Sequence, residues 1–373
     1  MKKLHLFLLS ITCISAYAQN YNPSDRDPGF NQFNYPLNHL FVDTDVDKSK
    51  VVAGDKIFVI TSSKLIKMNG NSLDNSFNTG TGFLIGGQPC VMGDVVEQPD
   101  GKVLVGGNFN TYNGITKYKL VRLNPDGSLD SSFNALLSGV ANWGVLEIYL
   151  QADGKIVCIA DSSLTGSGYN NIFRLNANGS VDTSFVISPN YRFNAAAIQP
   201  DGKIVVSHGI LNDFYTFNKI DRLNIDGSFD TSFTTASVTI GSPGSPSVNK
   251  ICIQNDGKIL VAGLFAYCAG SPFRDLARLS STGSADTSFN IGSGFLHSAS
   301  SGSYLADLVY GIIIQPDNKI VVSGNFTSFN SVARQDIVRL EQNGPLITAL
   351  QTSQALLILR PSNQFPFSAT RKF

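Results

Sequence analysis

Short runs of apolar residues alternate with turn-forming residues through most of this 373-residue chain. Two strand-turn-strand signals recur in a fixed order, with a period of about fifty residues, which predicts an array of structural repeats. The first signal is Gln-Pro-Asp-Gly-Lys-Ile-Val-Val, and the second is Arg-Leu-Asn-x-Asp-Gly-Ser-x-Asp-Thr-Ser-Phe. Copies of the first begin at Gln98, Gln151, Gln199, Gln254 and Gln315; copies of the second begin at Arg122, Arg174, Arg222 and Arg278, with a clipped copy at Arg339.

One unit, residues 195–233, shows what each repeat is expected to form. It contains four apolar segments, with an Asp-Gly turn between the first and second and another between the third and fourth, which is typical of a four-stranded antiparallel meander. Such a meander cannot bury an apolar face alone, and side-by-side repetition around an axis gives the blades of a β-propeller. No helical period interrupts the array. The pattern therefore predicts an all-β propeller.

The second turn fixes a register between two strands. In Asn124-Pro125-Asp126-Gly127, a type I turn followed by a glycine bulge places Arg122 opposite Asp130. We predict a cross-strand cation and carboxylate pair in every unit, contributing about 0 to 1 kcal/mol where it is exposed. The remaining predicted pairs are Arg174 with Asp182, Arg222 with Asp230, Arg278 with Asp286, Lys67 with Asp74 across a shorter loop, and Arg339 with Asp27. The phenylalanine three residues after each aspartate is expected to pack in the core.

The number of units follows from the copies of the first-turn lysine. These are Lys56, Lys102, Lys155, Lys203, Lys258 and Lys319, so we favour six blades, with seven as the alternative. The segment from Asp27 to Phe30 copies the end of the second signal, and the last unit lacks its aspartate. We expect the N-terminal segment to complete the last blade. In the alternative closure, residues 345–350 form that strand themselves, with Ile347 in place of aspartate.

The first eighteen residues resemble an export signal. Lys2 and Lys3 precede an apolar stretch that ends at Ala16-Tyr17-Ala18, a small-x-small cleavage site, and a lipid anchor on Cys13 is the lesser alternative. No other segment approaches the length of a membrane span. The predicted domains are a signal peptide at 1–18, one propeller domain at 19–345 and an unplaced tail at 346–373. We therefore expect a secreted or cell-surface protein.

Charge and cysteine content narrow the range of partners. The formal net charge is +0, without a basic field for nucleic acid or anionic lipid, and we expect a monomer. Cys90, Cys158, Cys252 and Cys268 show no Cys-x-x-Cys spacing, so a zinc knuckle is not indicated. Cys158 replaces a valine of the repeat, which is typical of a buried small hydrophobe. A disulfide between two of the four stays open.

By its two recurring signals the chain resembles the delta-sixty repeat family of bacterial secreted β-propellers. The resemblance covers about residues 50–345, because both signals recur there together and in order. It implies a propeller at or beyond the cell surface and no agreed catalytic residues. The first unit and the end of the chain depart from the family pattern.

No catalytic motif accompanies the repeats, so we expect no enzyme and no cofactor. His208 stands at a small-residue position of the repeat, which favours a packing or surface histidine. Calcium is a weak alternative, because the oxygens of Asn124, Asp126 and Asp130 lie close in sequence but the turn explains each of them.

Two functions from different classes remain open. The first is a non-enzymatic binding module for a protein or glycan, using the loops at 108–117 and 265–275. The second is a hydrolase or lyase of extracellular polysaccharide, which would gather non-repeated acidic, histidine, arginine or tyrosine side chains at one mouth of the channel.

Overall fold

The computed structural model describes residues 46–51, 56–61, 63–69, 72–135, 137, 144–160, 172–187, 191–210, 218–240, 246–296, 309–334 and 336–347. Every regular element in these ranges is a β-strand, as the sequence predicts. No helix in them has the length and apolar character needed to cross a membrane.

The first half of the described chain contains fourteen strands. They are β1 (Val46–Val51), β2 (Lys56–Thr61), β3 (Leu65–Asn69), β4 (Ser72–Leu73), β5 (Phe83–Ile85), β6 (Gln88–Pro89), β7 (Met92–Glu97), β8 (Val103–Gly107), β9 (Thr111–Tyr112), β10 (Ile115–Thr116), β11 (Leu120–Leu123), β12 (Val145–Leu150), β13 (Ile156–Ala160) and β14 (Ile172–Leu175).

The second half of the described chain contains another fourteen. They are β15 (Tyr191–Ile198), β16 (Ile204–Ile210), β17 (Lys219–Leu223), β18 (Ala236–Thr239), β19 (Ser247–Ile253), β20 (Ile259–Leu264), β21 (Tyr267–Cys268), β22 (Leu276–Leu279), β23 (Phe295–Leu296), β24 (Val309–Ile314), β25 (Ile320–Gly324), β26 (Ser328–Phe329), β27 (Val332–Ala333) and β28 (Ile337–Leu340).

Within these ranges the strands form six antiparallel meanders. Their long strands are β1-β2-β3, β7-β8-β11, β12-β13-β14, β15-β16-β17, β19-β20-β22 and β24-β25-β28. The predicted fourth strand is short. In the second meander it is the single bridge between Leu123 and Leu129, because Asp130 accepts hydrogen bonds from the backbone and hydroxyl of Ser132 and turns the chain away. The predicted closure by residues 27–30 lies outside the described residues and stays a prediction.

The core lies between successive meanders. All residues of β8, β13 and β25 are buried, because a neighbouring sheet packs on each face. In β8, Val103 and Val105 join a cluster with the first meander, whereas Leu104 joins a cluster with the third. The first strands lie side by side in chain order, with β12 against β7, β15 against β12, β19 against β15 and β24 against β19.

In the second and sixth meanders, the loops between second and third strands fold into hairpins. In the second meander, β9 and β10 pair with each other, and β9 also pairs with β5, which lies in the incoming connection. The sixth meander repeats this arrangement with β26, β27 and β23. In the fifth meander, β21 likewise pairs with β18 of the incoming connection. We call the surface formed by these segments between second and third strands and by their incoming connections the hairpin rim. Strands rather than free loops therefore support the segments predicted to bind.

Candidate functional site

Four of the six predicted cation and carboxylate pairs are brought together. The distance from arginine Nε to aspartate Oδ2 is 2.7 Å for Arg122 and Asp130, 2.7 Å for Arg174 and Asp182, 2.8 Å for Arg222 and Asp230, and 2.8 Å for Arg278 and Asp286. A second cation reaches the same oxygen: the first-turn lysine Lys155 lies 2.9 Å from Asp182. Sequence reasoning used this lysine to count the units but missed its bond to the aspartate, although its recurrence in every unit was a usable signal.

The arginine also joins each meander to the next. Arg174 Nη1 donates to the Ile225 carbonyl at 2.6 Å, in the turn of the following meander, and its guanidinium lies over the Phe185 ring. Equivalent bonds run from Arg122 to Ala177, from Arg222 to Ser281 and from Arg278 to Gln342. We call the repeated set of arginine, aspartate, lysine and phenylalanine the inter-blade clamp.

Burial makes the clamp stronger than the predicted exposed pair. The Arg174 side chain is 1% exposed and that of Asp182 is 8% exposed. Hydrogen bonds from Ser184, and then from Lys155 and Arg174, hold the pKa of Asp182 well below its usual range against the opposing effect of burial. A buried charge left without its partner is strongly destabilising, so the clamp residues are structural.

The first unit departs from the prediction. Asp74 N donates to Lys67 O at 2.9 Å, so the backbone register is as predicted, but Lys67 Nζ pairs with Glu97 Oε1 at 3.2 Å instead of with Asp74. Glu97 belongs to the next meander and also receives Lys56. The Asp74 carboxylate accepts hydrogen bonds from Ser76, as the aspartates of the other units do from their serines, so the difference lies in the cation. Lysine has a single ammonium in place of the guanidinium fork, and here it binds the carboxylate of the next meander.

In the last unit, residues 346 and 347 lie beside the third strand, as the alternative closure predicts. Ile347 N donates to Arg339 O at 3.0 Å, which is the place of the aspartate in other units, and Leu340 bridges Leu346. Arg339 Nη2 lies 2.9 Å from Asp317 Oδ2. Asp27 is outside the described residues, so its predicted pair with Arg339 stays a prediction.

Non-repeated charged side chains meet on the first strands. Lys250 Nζ of β19 lies 3.1 Å from Glu147 Oε1 of β12, and the Tyr149 hydroxyl donates to the other carboxylate oxygen of Glu147. Asp94 of β7 accepts a hydrogen bond from Ile148 N at 3.0 Å. We call Glu147, Tyr149 and Lys250 the inner-strand cluster. It is the kind of grouping that the enzyme hypothesis requires.

The pKa shifts in and beside this cluster favour the protonated forms of three side chains. Burial, followed by the charge of Glu147, raises the pKa of Tyr149 well above its ordinary value. The charge of Glu147 raises the pKa of Lys250, although burial opposes this. Burial raises the pKa of Cys252 to about 11. The phenol, amine and thiol therefore keep their protons near pH 7.

His208 is buried rather than exposed. Its Nε2 lies 2.7 Å from Asp221 Oδ2, and its ring packs against Tyr191 and Phe229. The hydroxyl of Thr235 donates a hydrogen bond to the other oxygen of Asp221, so the carboxylate lies between this hydroxyl and the histidine ring. A nucleophile must instead contact the histidine, so these residues do not form a catalytic triad.

Cys90, Cys158, Cys252 and Cys268 are free thiols. In the part of the chain that the structure describes, no three His, Cys, Asp or Glu side chains are grouped to hold a metal ion. The oxygens considered for calcium have protein partners: Asp126 accepts from Ser128, and Asp130 from Arg122 and Lys102. A calcium ion would have to displace these partners.

Comparison with protein families agrees with this architecture. Residues 98–133, 151–185, 254–289 and 315–346 match the family described as a domain of unknown function (DUF5122) beta-propeller. Four of the repeats thus match a β-propeller family model. No curated protein matches the sequence.

Several solved structures are similar to this chain. PorZ, a surface component of the type-IX secretion system of Porphyromonas gingivalis, is 12% identical with a TM-score of 0.48, and the match covers 84% of this chain and 42% of PorZ. YCF48 from Cyanidioschyzon merolae is 12% identical with a TM-score of 0.46, covering 81% and 84%. An extracellular domain ascribed to a one component system of B. thetaiotaomicron is 10% identical with a TM-score of 0.39. The match to that domain covers 80% of this chain and 35% of the other, so this chain spans about a third of its length.

Proposed function

We propose that this protein is an exported, non-enzymatic β-propeller that binds a protein or glycan at the cell surface through its hairpin rim. One observation carries the proposal: the repeated charges are engaged between meanders, whereas the rim presents apolar side chains to solvent. These include Val91, Ile115, Tyr267, Leu296 and Val332. Exposed apolar side chains on strand-supported segments favour recognition.

Export is part of the proposal and rests on the N-terminal sequence. Lys2, Lys3, the apolar stretch and the Ala16-Tyr17-Ala18 site support a signal peptide, and residues 1–18 lie outside the described residues. Membership of the delta-sixty repeat family and a monomeric state are proposed with it. Periplasmic expression followed by mass spectrometry tests the cleavage, with Gln19 as the expected N-terminus.

The binding test uses the purified exported chain on a glycan array and on immobilised cell-surface proteins. We expect saturable binding that falls when Ile115 and Tyr267 are both changed to serine. The matched control is Ile225→Ser, because Ile225 is equally exposed but lies in a turn between third and fourth strands. Absence of saturable binding, or an equal loss in the control, would reject the proposal.

The inner-strand cluster supports the second candidate, a polysaccharide hydrolase or lyase. The observation in its favour is that Glu147, Tyr149 and Lys250 meet although none of them recurs in the repeats. Incubation with acidic and neutral polysaccharides, read out as new reducing ends and unsaturated products, tests it. We expect no turnover. Turnover abolished by Glu147→Gln in a folded variant would establish the enzyme instead.

A further inference from the structure

Three asparagine-glycine pairs lie wholly within the described residues, at Asn113-Gly114, Asn178-Gly179 and Asn343-Gly344. In such a pair the glycine amide nitrogen can attack the side-chain amide carbon of the asparagine, because glycine has no Cβ to hinder the approach. The reaction requires that the glycine nitrogen is free and that its backbone has room to move. The three pairs differ in both respects.

The glycine amide is engaged in two of these pairs. Gly179 N donates to the Asn176 carbonyl at 2.9 Å, and Gly344 N donates to the Glu341 carbonyl at 2.9 Å. The Gly114 N–H has no hydrogen-bond partner among the described residues, because it stands inside the two-residue turn that joins β9 to β10. Deprotonation of the amide, which precedes the attack, therefore breaks no hydrogen bond of the fold at Gly114.

Packing separates the same pairs. Gly179 is buried, and a Cβ there would lie 2.9 Å from Ala135 N of the preceding meander. Gly344 is also buried, and a Cβ there would lie 2.6 Å from Asn290 O of the preceding meander. Gly114 is exposed, and a Cβ there would meet nothing within 4 Å. Turning the glycine nitrogen toward the asparagine side chain therefore disturbs the packing between meanders in two of the pairs but not at Gly114.

Two donors bind the side-chain oxygen of Asn113. Gly82 N and Thr81 Oγ1 each donate to Asn113 Oδ1 at 3.1 Å. These bonds stabilise the negative charge that the oxygen takes up when the amide carbon is attacked. Asn178 Oδ1 also accepts two hydrogen bonds, from the amide and hydroxyl of Ser180. The state of the glycine, rather than that of the side chain, thus distinguishes the pairs.

We propose that Asn113 is a site of spontaneous deamidation in the folded protein. The Gly114 nitrogen forms a bond to Asn113 Cγ, the bond from Cγ to Nδ2 breaks, and ammonia leaves with the glycine amide proton. Water then opens the resulting succinimide ring, to aspartate or to isoaspartate. No oxidant, reductant or other co-reactant takes part. The site lies on the hairpin rim but does not depend on the proposed binding function.

The product changes the hairpin rim in charge and in shape. Residues 78–91 and 108–118 include no aspartate or glutamate, so the new carboxylate is the first acidic group on these segments. Aspartate leaves the length of the turn unchanged, and Asp-Gly suits a two-residue hairpin turn as Asn-Gly does. Isoaspartate adds a methylene to the main chain between Tyr112 and Ile115, whose pairing defines the hairpin. The isoaspartate form therefore disturbs the pairing of β9 with β10.

The test incubates the purified exported chain at about pH 8 and follows each asparagine by mass spectrometry after digestion in acid, which prevents further conversion. In the folded protein we expect Asn113 to convert about tenfold faster than Asn178 or Asn343. In urea the three should convert at similar rates, because the same dipeptide is then released from its turn. Equal rates in the folded protein, or no conversion of Asn113, overturns the inference. A difference that persists in urea also overturns it, because the flanking sequence would then be the cause.

The matched variant is Gly114→Ser. The equivalent tip of the sixth meander is Asn330-Ser331, where φ is 50° and 62°, so the fold already accommodates serine in this conformation. Asn330 Oδ1 likewise accepts two hydrogen bonds from the incoming connection. We expect Gly114→Ser to slow the conversion of Asn113 by about tenfold, to a rate similar to that of Asn330. An unchanged rate in the variant would mean direct hydrolysis of the side chain and would overturn the proposed attack by Gly114.

Discussion

Lys250 Nζ lies 3.1 Å from Glu147 Oε1, although the two residues are 103 positions apart and belong to the first strands of the fifth and third meanders. In a flat stack, two sheets separated by a third lie about 20 Å apart, at roughly 10 Å for each packing step. A lysine and a glutamate side chain cannot together span that separation. The row of meanders therefore curves, with its first strands turned inward.

This ion pair predicts a coupling between distant blades. We expect Glu147→Gln and Lys250→Met each to lower the free energy of unfolding, and the double variant to lose less than the sum, with a coupling of about 1 kcal/mol. Urea unfolding of the four proteins measures it. The pair Lys319 and Asp317 is the comparison, because the Asp317 side chain is 44% exposed against 22% for Glu147, and a smaller coupling is expected. Additive losses at Glu147 and Lys250 would contradict the prediction.

The inter-blade clamp predicts that arginine cannot be replaced by lysine. Arg174→Lys keeps the charge but loses the side-on bond to Asp182 and the bond to the Ile225 carbonyl, so unfolding should become easier by about 3 kcal/mol. Thermal and urea unfolding measure the loss. The exposed Arg274→Lys is the matched control and should change stability by less than about 0.5 kcal/mol. Similar effects at both positions would argue against the clamp.

Glycine in the second turn is required for a second reason besides backbone conformation. Gly179 has a φ of 90°, and a Cβ there would lie 2.9 Å from backbone atoms of Asn134 and Ala135 in the preceding meander. Gly114 also has a positive φ, 75°, but a Cβ there meets nothing within 4 Å. Both alanine variants should lose about 1 kcal/mol from backbone strain. Only Gly179→Ala should lose clearly more, and equal losses in differential scanning calorimetry would contradict the close approach.

Stability should fall in acid because of the clamp carboxylates. The pKa of Asp182 is lowered in the folded protein, so between that value and the unfolded value of about 3.9 the unfolded chain binds more protons. The stabilisation is complete above pH 5 and declines as the pH falls through 4. Asp182→Asn should flatten the fall of Tm between pH 6 and 3. Asp153→Asn, in an exposed turn of the same meander, should leave the slope nearly unchanged.

The buried thiols should resist modification in the folded protein. Cys158 and Cys268 are buried, and burial raises the pKa of both thiols, that of Cys268 to about 12. A thiol reagent at pH 8 should leave these two unlabelled until urea unfolds the chain, as peptide mapping would show. Labelling of these two thiols in the folded protein at the rate typical of a free cysteine would contradict the structure. A disulfide between any two of Cys90, Cys158, Cys252 and Cys268 would contradict it as well.

The local pattern of the sequence determined the strands, the turns and the facing of Arg122 and Asp130. These features depend on residues within about ten positions of each other, where turn geometry alone sets the register. The same local reasoning overestimated the fourth strand, because the aspartate that pairs with arginine also turns the chain through Ser132.

Packing between meanders decided which residues distant in the sequence come into contact. The carboxylate that receives Lys67 is 30 positions away, and the carbonyl that receives Arg174 is 51 positions away. The Glu147 and Lys250 pair is separated further still. The sequence separation of these partners is not fixed, since even the recurring bonds from arginine to carbonyl span 55, 51, 59 and 64 positions. Which groups meet is set by how one sheet lies against another. The sequence by itself thus determined the repeating unit, and only the tertiary structure decided how the units are joined and where non-repeated charges meet.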